Sequence, residues 1–235
     1  MPNPYFRFKQ FTIQQDRSAM KVCTDSCILG AWSSSRLINA KKILDIGSGT
    51  GLLPLMLAQN STANIDGIEL DRESFLQATE NIKASSWTDR IHLVEGDARS
   101  YSFMGKYDFV ISNPPFFESD LQSPDHKKNK TKHGVSFTLE DLIRIVVANL
   151  DIAGAFSVLL PFHRSHYFEK LATTNGFFLR EKLILKQTPR HEPFRSLCLF
   201  GFEKPASFIL ENLTIKDAEG QYTKEYKTLM TEYYL

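Results

Sequence analysis

The sequence predicts an α/β protein: a doubly wound, mostly parallel seven-stranded sheet with an antiparallel late hairpin and a short N-terminal extension. Three observations carry this. From Lys41 on, short apolar runs alternate with stretches of helical spacing, the pattern of parallel strands joined by right-handed crossovers. The first such run, KKILDIGSGTG, passes directly into a turn with three glycines. After Gly176 the rhythm changes to two apolar runs separated only by TPRHEPF, as in a hairpin.

Each element follows from its own pattern. YFRFKQFTI, residues 5–13, alternates apolar and polar residues and predicts a small strand or hairpin. In SAMKVCTDSCILGAWSSSRL, Cys27, Ile28, Ala31 and Trp32 have helical spacing, with Thr24 or Asp25 as the expected cap. KKILDI is a short buried strand and LLPLMLAQN a helix. NIDGIELD and RESFLQATENIKASSW are the second strand and helix, IHLVEGDA the third strand. YDFVISNPPFF is a fourth strand ending in a turn, LEDLIRIVVANL a helix, GAFSVLLP a fifth strand, and RSHYFEKLATTNG a helix closed by Gly176. FFLREKLILKQ and RSLCLFGFEK form the hairpin, expected on the sheet edge. The tail offers a short strand, a turn at Glu219-Gly220 and a terminal helix, whose Tyr222, Tyr226, Tyr233 and Tyr234 are expected to pack it onto the sheet. With neither repeat nor long linker, the expected organisation is a single domain, 1–235: an extension 1–40, a core 41–203, and a C-terminal strand and helix 204–235.

Composition narrows the function. With 42% hydrophobic and 23% charged residues, a disordered or collagen-like chain is excluded. A net charge of +1 excludes an overall basic coat for nucleic acid but leaves room for a local patch. Cys23, Cys27 and Cys198 form no zinc-site pattern and read as buried free thiols of a reducing cytosol. The N-terminal residues lack the apolar core of a signal peptide, and no run of about 18 apolar residues occurs. The expectation is a soluble cytoplasmic protein without membrane contact, without a metal, and monomeric.

Gly47, Gly49 and Gly51 sit where a strand turns into a helix, a place that lets backbone N–H groups approach a ligand. The spacing G-x-G-x-G after Asp45 fits neither the dinucleotide fingerprint nor the phosphate loop. Glu69 ends the second strand, where a carboxylate accepts from a ribose diol. Asp97 after the third strand can accept from an adenine amino group, between apolar walls at Leu70 and Ala98. These strand tips form the crevice at the carboxyl end of an open sheet.

The fourth strand ends in Asn113-Pro114-Pro115-Phe116-Phe117. Prolines remove N–H donors and fix the turn, leaving carbonyls to accept. A carboxamide oxygen, a carbonyl and an aromatic plate together hold a planar amino group. Its lone pair is delocalised into the ring; two acceptors on its hydrogens favour a more tetrahedral nitrogen, aimed at a methyl donor. Positioning and charge stabilisation carry such a transfer.

DIGSGTG, IELD, GDA and NPPFF, in that order, resemble the class I S-adenosyl-L-methionine-dependent methyltransferases, which have a Rossmann-like fold. From FRFKQFTI through MKVCTDSCILGAW to QYTKEYKTLMTEYYL, the whole chain is similar to the tRNA1(Val) adenine-37 N6-methyltransferase family. The resemblance implies methyl transfer from S-adenosyl-L-methionine, giving S-adenosyl-L-homocysteine, to the N6 of an adenine in tRNA. It implies Thr24 and Asp25 over the methionine end of the cofactor, and Asp45, Gly47, Ser48, Gly49, Thr50 and Gly51 as its cradle. Glu69 would hold the ribose, and Leu70, Asp97 and Ala98 the adenine. Asn113, which would also border the cofactor, and Pro114 would hold the target amine, beside Pro115, with Phe116 stacked on the target base. The chain departs from the family's pattern at Cys23, where a small residue such as Gly is expected, and in KKNKTKHG, where arginines are.

For RNA, Lys127, Lys128, Lys130, Lys132 and His133 crowd one polar loop beyond the turn, joined there by Phe117; they could clamp phosphates around a flipped base. Arg180, Lys182, Lys186, Arg190, His191 and Arg195 form a second basic set along the hairpin, whereas His163, Arg164 and His166 read as surface residues. Three alternatives share the motifs: a protein glutamine N5-methyltransferase, a DNA amino-methyltransferase, and a non-catalytic S-adenosyl-L-methionine-binding RNA-interaction protein.

Overall fold

The computed structural model describes residues 3–18, 20–115 and 137–235. A hairpin of β1 (Tyr5–Arg7) and β2 (Thr12–Gln14) opens the chain, followed by helix α1 (Thr24–Ser34). The cap of α1 is Cys23, not Thr24 or Asp25. Ser26 completes a capping box by accepting from Cys23 N at 3.4 Å, which moves the helix start one residue earlier. Cys23 is exposed there, contrary to the expected burial, while Cys27 and Cys198 are buried free thiols.

The alternating core follows: β3 (Lys42–Ile46), α2 (Leu52–Gln59), β4 (Asn64–Glu69), α3 (Arg72–Lys83), β5 (Ile91–Glu95), β6 (Tyr107–Ser112), α4 (Leu139–Asn149), β7 (Leu150–Pro161) and α5 (Phe162–Thr174). Then come β8 (Phe178–Lys186), β9 (Arg195–Gly201), β10 (Ile209–Thr214) and α6 (Lys224–Met230). The main sheet has the order β10-β8-β9-β7-β6-β3-β4-β5. Strands β5, β4, β3, β6 and β7 are mutually parallel, β9 runs antiparallel to both β7 and β8, and β10 is parallel to β8.

The expected seven strands are thus joined by an eighth, β10. The β8–β9 hairpin forms as expected but does not lie on the edge: β9 is inserted between β7 and β8, and β10 covers β8. The reason is burial. Ser196 through Gly201 is buried on both faces, whereas Ile209, Leu210, Glu211 and Asn212 of β10 are exposed as an edge strand allows.

The two faces sort by the strand period of two. Ile43 of β3, Phe109 and Ile111 of β6, and Leu197 and Leu199 of β9 pack in a core with α1, α2 and α6. Their neighbours Leu44, Val110, Cys198 and Phe200 pack with α4 and α5 on the opposite face. The tyrosine tail joins the first of these layers: Tyr226 and Tyr233 are buried there with Leu213 of β10, and the Thr223 hydroxyl at the start of α6 donates to the Thr214 carbonyl at 2.7 Å, so the helix packs on the sheet as well as on α1. The Tyr233 hydroxyl accepts from Asn60 Nδ2 at 2.6 Å and lies 2.7 Å from Ser34 Oγ, linking α1 to α2. Tyr234 lies against Phe6 and Phe8 of the N-terminal hairpin, with centroids 5.7 and 5.9 Å apart. Tyr222 is exposed and stacks on Tyr226. No helix among the described residues is long and apolar enough to cross a membrane.

Candidate active site

Strand order reverses between β3 and β6: the chain goes from β3 outward to β4 and β5, then returns to β6 on the other side. At such a point the two connections leave in opposite directions and open a crevice at the carboxyl rim. Ile46 pairs with Ser112, so the glycine loop and the Asn113 turn begin side by side, one strand spacing or about 4.8 Å apart. The Ser112 hydroxyl donates to the Ile46 carbonyl at 2.8 Å and fixes that alignment.

Gly47, Gly49 and Gly51 have φ of 82°, 54° and 80°, the left-handed region that L side chains avoid. Yet the loop does not offer a row of amides. Gly47 N and Ser48 N donate to the Ile68 carbonyl at 2.9 and 3.1 Å, Gly51 N donates to the Ser48 carbonyl at 2.8 Å, and Gly49 N donates to Glu69 Oε2 at 2.7 Å. With these donors committed inside the protein, the loop is not a phosphate cradle. That separates it physically from the dinucleotide and phosphate loops whose glycine patterns it already failed to match.

The free polar atoms are acceptors instead. Asp45 is fully buried, and neither of its oxygens makes a hydrogen bond among the described residues; the same holds for the buried Ser48 hydroxyl and for Asn113 Oδ1. Burial pushes the Asp45 carboxyl up to about 7; the nearby Ser48 side chain offsets this in part, and the Glu69 charge adds to it. Buried acceptors without partners are costly. Asp45, Ser48 and Asn113, all near the carboxyl ends of β3 and β6, could accept from a ligand bearing N–H and O–H donors.

Glu69 stands half-buried at the tip of β4, with Oε1 accepting from Asp71 N at 2.8 Å and Oε2 from Gly49 N. Each oxygen keeps a second lone pair, so the carboxylate is held in place and can still accept a diol. Asp97 lies two residues beyond the end of β5. Both of its oxygens accept from Arg99, as close as 2.6 Å, and these bonds hold its carboxyl below the usual range. Leu70 is exposed at the crevice mouth, whereas Ala98 is buried in the core on the α4 and α5 side.

The turn itself places Pro114 in the interior and Pro115 at the surface. Asn113 Nδ2 points to the thioether of Met20 at 3.9 Å, leaving Oδ1 as the buried, unpaired end. Phe116, Phe117, Lys127, Lys128, Lys130, Lys132 and His133 lie outside the described residues.

Met20 reaches the turn because the preceding strap is laced to α3. Buried Gln77 accepts from Arg17 N at 3.1 Å and Ser18 N at 2.9 Å. Asn81 accepts from Gln14 N and donates to the Gln14 and Thr50 carbonyls, each at 2.9 Å. Ser74, Gln77 and Asn81 form one face of α3 at helical spacing, so a single polar stripe ties the strap to the glycine loop. Sequence reading missed this stripe, as it missed Gly67. A Cβ at Gly67 would stand 2.5 Å from Ser48 Oγ and 2.4 Å from Leu93 Cδ2, so any side chain there must displace both as the loop settles on β4.

Thr24 and Asp25 lie at the rim end of α1, where Asp25 accepts from Arg195 Nε at 2.9 Å. Other members of the second basic set are also engaged. Lys182 is paired with Glu169 at 2.7 Å. Arg180 lies toward the other end of β8 and packs against Gly201. A cleft of about 590 Å³ between the N-terminal hairpin and α3, lined by Arg7, Lys9, Gln14 and Glu80 among others, borders none of the candidate residues.

Known proteins agree with this geometry. The Methyltransferase small domain family matches residues 28–149. Among solved structures, a predicted O-methyltransferase from Agrobacterium tumefaciens superposes with a TM-score of 0.67 at 16% identity, over 89% of this chain and 96% of that one. A Listeria monocytogenes protein, described as a class I S-adenosylmethionine-dependent methyltransferase, gives 0.62 at 16% identity over 83% and 68%; at these identities the fold is what is shared. Full-length relatives are much closer in sequence. The tRNA1(Val) (adenine(37)-N6)-methyltransferase of Dyadobacter fermentans is 41% identical over 99% of this chain and 98% of that protein. The protein of the same name from Bacteroides thetaiotaomicron is 40% identical over 100% and 99%. With its strap, glycine loop and Asn-Pro-Pro turn assembled on one rim, the chain belongs to the tRNA1(Val) (adenine(37)-N6)-methyltransferase family.

Proposed function

We propose that the protein transfers a methyl group from S-adenosyl-L-methionine to the exocyclic N6 of an adenine in tRNA, adenosine-37 of tRNA1(Val), and that it works in the cytoplasm. The observation that carries this reading is the buried, unpaired Oδ1 of Asn113 beside a loop whose amides are already committed. The residues present fit the cofactor. Its ribose diol meets Glu69, its ammonium and hydroxyl donors suit the unpaired Asp45 and Ser48 side chains, and no phosphate is needed to satisfy the loop. Thr24 and Asp25 border its methionine end, and Asp97, Leu70 and Ala98 its adenine. S-adenosyl-L-methionine supplies an electrophilic methyl on a cationic sulfur.

The chain's own residues then position the nucleophile. Asn113 Oδ1 and the Pro114 carbonyl accept the two N6 hydrogens, which localises the nitrogen lone pair and stabilises positive charge developing there. No strong base is required before transfer, since the nitrogen sheds its proton afterwards. Phe116 is the proposed stacking plate for the base, next to Pro115. Phe117, Lys127, Lys128, Lys130, Lys132 and His133 are proposed to meet the RNA around it. Domain organisation as one unit, 1–235, belongs to the same proposal. The test is methyl transfer from tritiated S-adenosyl-L-methionine to tRNA, rRNA, DNA and protein supplied separately. Label in tRNA that digests to N6-methyladenosine supports the reading; label in a protein glutamine or in DNA, or none, overturns it.

A further inference from the structure

Charge is sorted along the carboxyl rim. Over the tips of β4 and β5, residues 69–73 and 95–99 carry Glu69, Asp71, Glu73, Glu95 and Asp97 against two cations, Arg72 and Arg99, which pair with Glu95 and Asp97. On the other side of the Asn113 turn, the order is reversed. The β8–β9 loop and the first turn of α5, residues 162–167 and 186–195, carry Arg164, Lys186, Arg190 and Arg195 against one carboxylate, Glu192. Three of the protein's six histidines, His163, His166 and His191, lie in the same two segments.

These two segments are one surface. Phe162 N at the start of α5 donates to the Phe194 carbonyl in the loop at 3.1 Å, and Pro161 pairs with Arg195 at the ends of β7 and β9. His163, His166, Arg190 and His191 are exposed. Arg195 is paired with Asp25, and Arg164 is engaged as well, over the Tyr167 ring and beside Glu140. The chain as a whole has a net charge of only +1, so this separation is a feature of the rim and not of the composition.

We propose that the surface formed by the α5 first turn and the β8–β9 loop is where the phosphate backbone of the RNA substrate crosses the rim, entering from the β7–β9 side. The proposal rests on RNA being the substrate. A polyanion approaching the Asn113 turn meets repulsion above β4 and β5 and attraction above β7 and β9, which fixes the direction of approach before any base is read. Arg190 and Lys186 are the two permanent cations of the loop that lack a carboxylate partner among the described residues. Two histidine-bearing segments beside them extend the donor surface. The acidic half suits a cationic cofactor for the same reason that it rejects phosphates.

The experiment measures binding of an unmodified tRNA1(Val) transcript by fluorescence anisotropy across a salt series. The wild type is compared with Lys186→Ala/Arg190→Ala, with the charge reversal Arg190→Glu, and with Arg72→Ala as a control on the acidic half. The double variant is expected to bind roughly tenfold more weakly at 0.1 M salt, with a slope of log K against log salt shallower by about 1.5, from two lost phosphate contacts at roughly 0.7–0.9 each. Arg190→Glu alone is expected to weaken binding at least fivefold, and Arg72→Ala to leave it unchanged. S-adenosyl-L-methionine affinity, unchanged in the Lys186 and Arg190 variants, reports that the fold is intact. A wild type that methylates tRNA while the double variant keeps its affinity and slope overturns this surface alone. A wild type that neither binds nor methylates tRNA overturns the substrate reading with it.

Discussion

Asp45 gives the sharpest physical prediction, because it is a fully buried carboxylate with no hydrogen-bond partner among the described residues. Its carboxyl is raised from the ordinary 3.8 to about 7, with desolvation as the main cause. The folded protein therefore holds a proton that the unfolded chain has released between about pH 4 and pH 7. Stability from this group is complete below the unfolded value and is lost as pH rises through the folded one. The full difference is about 4 kcal/mol at roughly 1.4 kcal/mol per unit. Between pH 5 and pH 8 the loss is about 2.5 kcal/mol, which for a chain of this size is roughly 5–10 °C in melting temperature. Asp45→Asn cannot ionise and should lack this component. Thermal melts of both proteins without cofactor, taken across that pH range, give the difference directly, with other titrating groups cancelling. Parallel curves for wild type and variant would refute the burial argument. The same linkage predicts that cofactor binding near pH 7 expels a proton from Asp45, read by calorimetry in buffers of different ionisation enthalpy and absent in Asp45→Asn.

The other predictions probe the frame of the site. Glu69→Ala removes both the anchor of Gly49 and the proposed ribose acceptor, so cofactor affinity should fall by about 1–3 kcal/mol, measured by equilibrium dialysis. Gly67→Ala drives a Cβ into Ser48 and Leu93 and should cost about 1–3 kcal/mol in denaturant unfolding. Asn81→Ala leaves the Gln14 and Thr50 backbone groups without their buried partner. It should destabilise the protein by about 2–4 kcal/mol and weaken cofactor binding as the loop loosens, which melts and dialysis on the same preparation would check.

What was legible in the sequence was what local chemistry dictates. Glycines at a strand-to-helix turn, a carboxylate at a strand tip and prolines after Asn113 each constrain the backbone where they stand, and all appear at the rim in the expected order. Strand order was less accessible, because β9 inserts between β7 and β8 through pairings of distant residues, while its sequence records only that it is buried. The α1 cap was misplaced by one residue because the box is made by Cys23 with Ser26, outside the usual pairing of a hydroxyl with Glu or Gln. The α3 stripe escaped for a related reason: Gln77 and Asn81 read as ordinary polar helix residues until Arg17, Ser18 and Gln14, some sixty residues earlier, are laid against them. The glycine loop was expected to present its amides to a ligand. Their commitment to Ile68, Ser48 and Glu69 could be seen only once β4 was placed beside it.

The most direct test of the central claim is Asn113→Ala assayed for two quantities on one preparation: the dissociation constant for S-adenosyl-L-methionine and the yield of N6-methyladenosine in an unmodified tRNA1(Val) transcript. The account predicts cofactor affinity within about twofold of wild type, since the lost carboxamide serves the amine rather than the cofactor, together with transfer reduced by two orders of magnitude or more, the scale of losing one positioned acceptor at a reacting centre. Wild-type yield from Asn113→Ala would contradict it.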